Sequence, residues 1–215
     1  MPQWGDLVAV LTNATWNAVI GWILLGLLGL IGVESLLDAD WVWFVFVLFI
    51  VVVGVIPPIA FKDARIMLPW EVLLLVMFPL LGRGLLGSGL GREIATYAAV
   101  AGLALIVAVE LDVFTAVKMT TWFAIFFVVV ATMAAIGAWA VVQWVSDVYL
   151  GTTFIYPVPP PVSQAVEQAA LETLMWEFVA ATATGIGAGI VFALYFRRAP
   201  SIQYRIPAWV RRRIG

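Results

Sequence analysis

From Thr120 to Val142 the chain carries no charged residue, and the run closes on Gln143 and Asp147 with Trp139, Trp144 and Tyr149 around the exit. As an α-helix this run is about 35 Å long at 1.5 Å per residue, enough to cross a hydrocarbon core of about 30 Å. The aromatic residues stand where an interfacial belt forms. Nothing constrains the chain more, because a segment of this kind is stable only where its outer surface is relieved of water. Composition agrees: 64% of the 215 residues are hydrophobic and 11% are charged, against roughly a quarter charged in soluble domains.

Five other segments are read as spans, some of them with interiors free of charge. The first span is read over 16–36, with Gly21, Gly26, Gly29 and Gly32 as close-approach positions, and ends in an acidic turn at Glu34, Asp38 and Asp40. The second runs over 41–56. Its Val, Phe and Ile content resembles a strand, but it lacks period-2 alternation and is too long. Pro57 and Pro58 are expected to kink or end it. The third, 67–86, is the least regular, with Pro69, Glu71 and Pro79, and is expected to dissolve into a flexible or re-entrant glycine connection over 83–91. The fourth covers 94–109. A long loop with an extended proline segment at 157–161 follows the fifth, and Ser163 is placed to cap a helix from Gln164 that continues as the sixth span to about residue 195.

The predicted fold is therefore all-α, a polytopic transmembrane helix bundle of about six spans. Residues 1–198 form one transmembrane helical domain, led by a short interfacial helix over 1–12, and 199–215 form a basic interfacial tail. With both termini cytoplasmic, nine Lys and Arg residues lie inside (Lys62, Arg65, Lys118, Arg197, Arg198, Arg205, Arg211, Arg212 and Arg213) and two outside (Arg83 and Arg92), the asymmetry expected of cell-membrane proteins. The N-terminal residues do not resemble a secretory signal peptide.

Cysteine and histidine are absent. That removes disulfides, thiolate or imidazole metal sites, histidine-ligated haem, and Cys–His or Ser–His–Asp catalysis. No cofactor is expected. The formal net charge of −2 points away from nucleic acid. The expected partners are the lipid bilayer and either further copies of the chain or another membrane subunit.

Ionisable groups at membrane depth are functional candidates by default. An inner candidate site comprises Glu71, Glu110 and Asp112, read either as a salt-bridged rim or as a vestibule for a proton or cation. An outer one comprises Gln143, Asp147 and Glu177; Gln143 and Asp147 share a helical face. Oxygen ligands suit a hard cation, but ordinary caps account for them equally, and no metal is identified. Gly185 and Gly189 form a small-xxx-small pair for helix packing, opposite Thr132, Ala135 and Ala138 of the fifth span.

The stretch Trp144-Val-Ser-Asp147-Val-Tyr-Leu-Gly151-Thr152, followed by a glycine-rich terminal helix ending in Tyr-Phe-Arg, resembles the end of the YjdF-like prokaryotic inner-membrane proteins, over about a third of the chain. The resemblance carries over Asp147, Gly151 and Thr152. The family's central-helix histidine and its aspartates after Gly-Thr have no counterpart here, since Thr153, Phe154 and Ile155 follow. The family is uncharacterised, so the resemblance implies no activity. The sparse polar residues favour a non-enzymatic structural or partner-binding subunit. Prolines in the second and third spans support a small transporter or channel as the alternative. An intramembrane enzyme would need a polar cluster built from carboxylates or serine alone.

Overall fold

The computed structural model describes residues 14–85, 90–115 and 119–198, and among these every regular element is an α-helix. The helices are α1 (Ala14–Leu37), α2 (Trp41–Phe61), α3 (Trp70–Leu85), α4 (Leu90–Phe114), α5 (Thr121–Leu150) and α6 (Gln164–Arg198). Five are long and apolar enough to cross a membrane: α1, α2, α4, α5 and α6. The sixth, α3, has 16 residues, about 24 Å. The proposed interfacial helix over 1–12, Lys118 and the basic tail 199–215 lie outside the described residues.

Three boundaries differ from those read in the sequence. Pro57 and Pro58 do not end α2, which continues to Phe61. A proline φ is already helical, so the pair removes two N–H groups near the helix end without forcing a turn. The stop comes at Lys62, which adopts a left-handed conformation, φ 53°, while the N–H groups of Lys62 and Asp63 bond the carbonyls of Ile59 and Pro58. Residues 67–69, expected to open the third span, are not helical, nor is Ile66 before them. The described residues of the glycine-rich connection are helical: α3 reaches Leu85, α4 begins at Leu90, and 86–89 lie outside the described residues.

Successive helices alternate in direction. Asn17 near the start of α1 touches 67–70, and the Phe61 and Phe114 rings at the ends of α2 and α4 lie 6.0 Å apart. These mark one end of the bundle, called here the Asn17 end. Asp40 and Arg83, joined at 3.1 Å, mark the opposite Asp40 end. The hub is α4, which meets α2, α3, α5 and α6. Its buried residues interleave Ala95, Ala99, Ala101, Ala104 and Ala108 with Tyr97, Leu105, Ile106, Val109 and Val113, and a Cβ on Gly102 would stand 2.9 Å from Val76 Cγ2. Small side chains let four neighbours approach one helix closely.

The charge-free run in α5 is thus not central. Of the most apolar window of α4, 56% is buried, against 17% for α5 and for α6. Along α5 only Ala124, Val128, Thr132, Ile136 and Asp147 are buried; Trp122, Phe126, Val130 and Val141 face outward.

Candidate functional site

At the Asn17 end, the polar chemistry holds a break in the helices. Residues 66–68 are apolar and buried, yet their backbone is not helical, so its polar groups need partners from elsewhere. Asn17 supplies them. Its Nδ2 donates to the carbonyls of Met67 (3.3 Å) and Leu68 (3.0 Å), and its Oδ1 accepts from the Trp70 N–H (3.1 Å). One turn on, Gly21 makes room: a Cβ there would lie 2.6 Å from Met67 Cγ. The Trp22 indole donates to the Ala64 carbonyl at 3.0 Å. The first two turns of α1 therefore grip the connection from 64 to 70. Sequence reasoning missed Asn17; the available signal was a lone amide four residues before a glycine on an apolar helix.

The inner candidates divide. Asp112 Oδ1 accepts from the Met119 N–H at 2.9 Å and so shapes the approach to α5, whose first turn Thr120 caps at 3.3 Å. Glu71 stands half-buried in the first turn of α3, where a carboxylate complements the helix dipole. Glu110, by the register that sets Gly102 against Val76, falls at the level of Leu68 to Trp70. Its Oε1 and the Trp70 Nε1 are buried with no hydrogen-bond partner among the described residues.

At the Asp40 end, Asp40 does two things. Oδ1 caps α2 by accepting from the Trp43 N–H (3.2 Å), and Oδ2 takes Arg83 Nη2 at 3.1 Å. The Arg83 guanidinium also lies 3.9 Å from the centre of the Trp43 ring, a cation–π contact. This knot joins the α1–α2 turn to the end of α3 and was likewise not singled out in the sequence.

Asp147 is fully buried although it sits near the exposed end of α5. Oδ1 accepts from the Thr152 hydroxyl (2.6 Å) and the Phe154 N–H (2.8 Å); Oδ2 accepts from the N–H groups of Ile155 (2.7 Å) and Tyr156 (3.0 Å). Gly151 makes the turn possible. It is left-handed, φ 68°, and its N–H bonds the Ser146 carbonyl, a geometry that favours glycine. Asp147, Gly151 and Thr152 are therefore one loop-forming unit.

The other outer candidates stand apart from it. Gln143 is half-buried one turn earlier. Glu177 lies within electrostatic reach of Glu93 and Tyr97 on α4, and its neighbour Phe178 would touch a Cβ on Gly137 at 3.4 Å. Glu177 is thus level with Gly137, ten residues or about 15 Å along the axis from Asp147. Gly185 and Gly189 face α5: a Cβ on Gly185 would lie 3.3 Å from Val129 Cα, and one on Gly189 2.9 Å from Ile125 Cγ2. Thr132 stands opposite Gly185 at 3.7 Å, while Ala135 and Ala138 are exposed, away from this seam. Among the described residues, no three carboxylates gather closely enough to hold a metal ion.

Residues 5–67 match the family model described as a domain of unknown function, DUF8268. The matched stretch covers α1, α2 and the connection as far as Met67, so it holds Asn17, Gly21 and Asp40 but not 144–152, where the YjdF-like resemblance lies. No curated protein and no solved structure matches the chain.

Proposed function

We propose that the chain is a multi-pass protein of the cell membrane, crossing six times with both termini cytoplasmic, and that it serves as a non-enzymatic structural or partner-binding subunit. Five helices have the required length and composition. The sixth crossing is α3, which runs parallel to α1 between ties at both ends, Asn17 to 67–70 and Asp40 to Arg83. The non-helical 66–69 and the long Arg83 side chain complete the distance that 16 helical residues leave short. The nine-to-two count of basic residues supports the orientation.

The subunit role is carried by one observation: polar side chains at helix ends bond the backbone. Asn17, Asp40, Asp112 and Asp147 all do so. Within helices, the hydroxyls of Ser35, Thr132, Thr182 and Thr184 bond carbonyls four residues back, which satisfies them without a partner helix. Such groups build and hold a packed bundle. Purified protein in vesicles loaded with a pH-sensitive dye is expected to pass protons no faster than empty vesicles do.

One observation favours the second reading, a small transporter for an ion or small solute: Glu110 Oε1 and Trp70 Nε1 are buried beside a helix break without hydrogen-bond partners among the described residues. A protein-dependent proton flux that Glu110→Gln abolishes would establish that reading and overturn the first. Orientation is tested separately. A cysteine introduced after Arg213 should react with an impermeant thiol reagent only once cells are opened; reaction in intact cells reverses the topology.

A further inference from the structure

We propose that the α5–α6 loop is built to lie in lipid, with residues 152–161 occupying the headgroup and upper acyl layer at the Asp40 end. This rests on the six-crossing reading above. A loop between two helices normally carries charge and leaves its backbone to water. Here no residue from Val148 to Val166 is charged.

The backbone is also unusually poor in free donors. Of the ten residues 152–161, four are prolines, Pro157, Pro159, Pro160 and Pro161, which have no N–H. Four more have theirs bonded: Thr152 to the Ser146 carbonyl, and Phe154, Ile155 and Tyr156 to Asp147. Unbonded backbone N–H and C=O groups bar irregular chain from hydrocarbon; eight of these ten residues present no free N–H, and their carbonyls are left to the donors and water of the headgroup layer. The charge that adjoins the loop in sequence faces inward, with Asp147 buried against the donors that it satisfies.

Position agrees with chemistry. The loop turns back along α5 instead of projecting from it, and the Phe154 ring meets that of Trp139 at 6.4 Å. Trp139 is one turn from Ile136, which clusters with Tyr97 of α4 and Ala181 of α6, so Phe154 descends to the depth where α4 begins. The large apolar side chains left outward are Tyr149, Leu150, Phe154 (54% exposed) and Val158 (53%), and Thr153, Pro157, Pro159 and Pro161 are exposed beside them. The length of α5, 30 residues or about 45 Å, matches a bilayer with its headgroup layers, about 40–45 Å, and exceeds the hydrocarbon alone.

The experiment uses the full chain, which has no cysteine, in phosphatidylcholine vesicles with one spin label at a time. Val158→Cys and Phe154→Cys report on the loop, Val130→Cys on the outward face of α5, and Glu167→Cys on water beyond it. Both loop labels should collide several-fold more with oxygen than with a water-soluble nickel chelate, placing them between the two references. Nickel access equal to that of Glu167→Cys overturns the inference. So does shielding from both reagents, which would mean that protein covers the loop. If Val130→Cys itself is open to nickel, the membrane reading fails; if only the loop labels are, that reading stands and the loop inference alone falls.

Discussion

Among the described residues, two stretches of irregular backbone are each held by a single polar side chain, and they are held in opposite ways. The connection at 66–69 is buried, and its grip comes from a neutral amide some fifty residues away on another helix. The loop at 152–156 lies on the flank of the bundle, and its grip comes from a carboxylate five to nine residues earlier in the chain. Asn17 meets both carbonyls and an N–H, so it needs a side chain that donates and accepts. Asp147 meets donors only, for which an ionised carboxylate is the better match. A break in a helical bundle is therefore stabilised by whichever side chain complements the groups that the break exposes.

Substitutions at the two grips test that contrast, with melting in detergent as the measure. The largest effect is expected from Asp147→Ala, which strands three backbone N–H groups and should lower the melting temperature on the order of 10 °C. Asp147→Asn, which retains an acceptor, should fall between it and the parent. Equal melting for all three would mean that the loop does not depend on this carboxylate.

At the other grip the ranking should invert. Asn17→Ala is expected to cost about 2–4 kcal/mol for the lost buried bonds. Asn17→Asp should be worse still, because a carboxylate would face the carbonyls of Met67 and Leu68 where two N–H donors had been. If the aspartate variant is the more stable of the two, the carbonyls do not depend on an amide donor.

The smallest effect separates room from flexibility in α1. Gly21→Ala should destabilise by about 1–3 kcal/mol through its contact with Met67. Gly26→Ala, where nothing lies within 4 Å of the added carbon, should stabilise by up to about 1 kcal/mol through helix propensity. Chemical denaturation of the pair side by side measures the difference; identical shifts would mean that Gly21 is not a seat for Met67.

The parts of the Asp147 unit are close in sequence, but the residues alone set Asp147 with Gln143 and Glu177, and Gly151 and Thr152 came with it only through the family resemblance, because a carboxylate's spacing does not say which backbone will fold back onto it. The glycine pair of α6 was legible as spacing within one helix. Asn17, Arg83 and Trp43 were not, because their partners are set by which helices become neighbours, and a single apolar helix does not encode that. The paired prolines misled in a related way. Their effect on α2 depends on where the helix ends, and Lys62 sets that point.

What the sequence determined alone is the all-helical fold and five of its long apolar helices, since their uncharged apolar runs are too long for strands and in lipid leave the backbone no partner but itself. What only the tertiary structure decided is which helix sits at the centre. In the membrane setting proposed here, lipid receives an apolar side chain as readily as a protein interior does, so hydropathy does not rank helices by burial. The hub is therefore α4, chosen by small residues that let four neighbours come close, while the strongly apolar α5 lies at the edge.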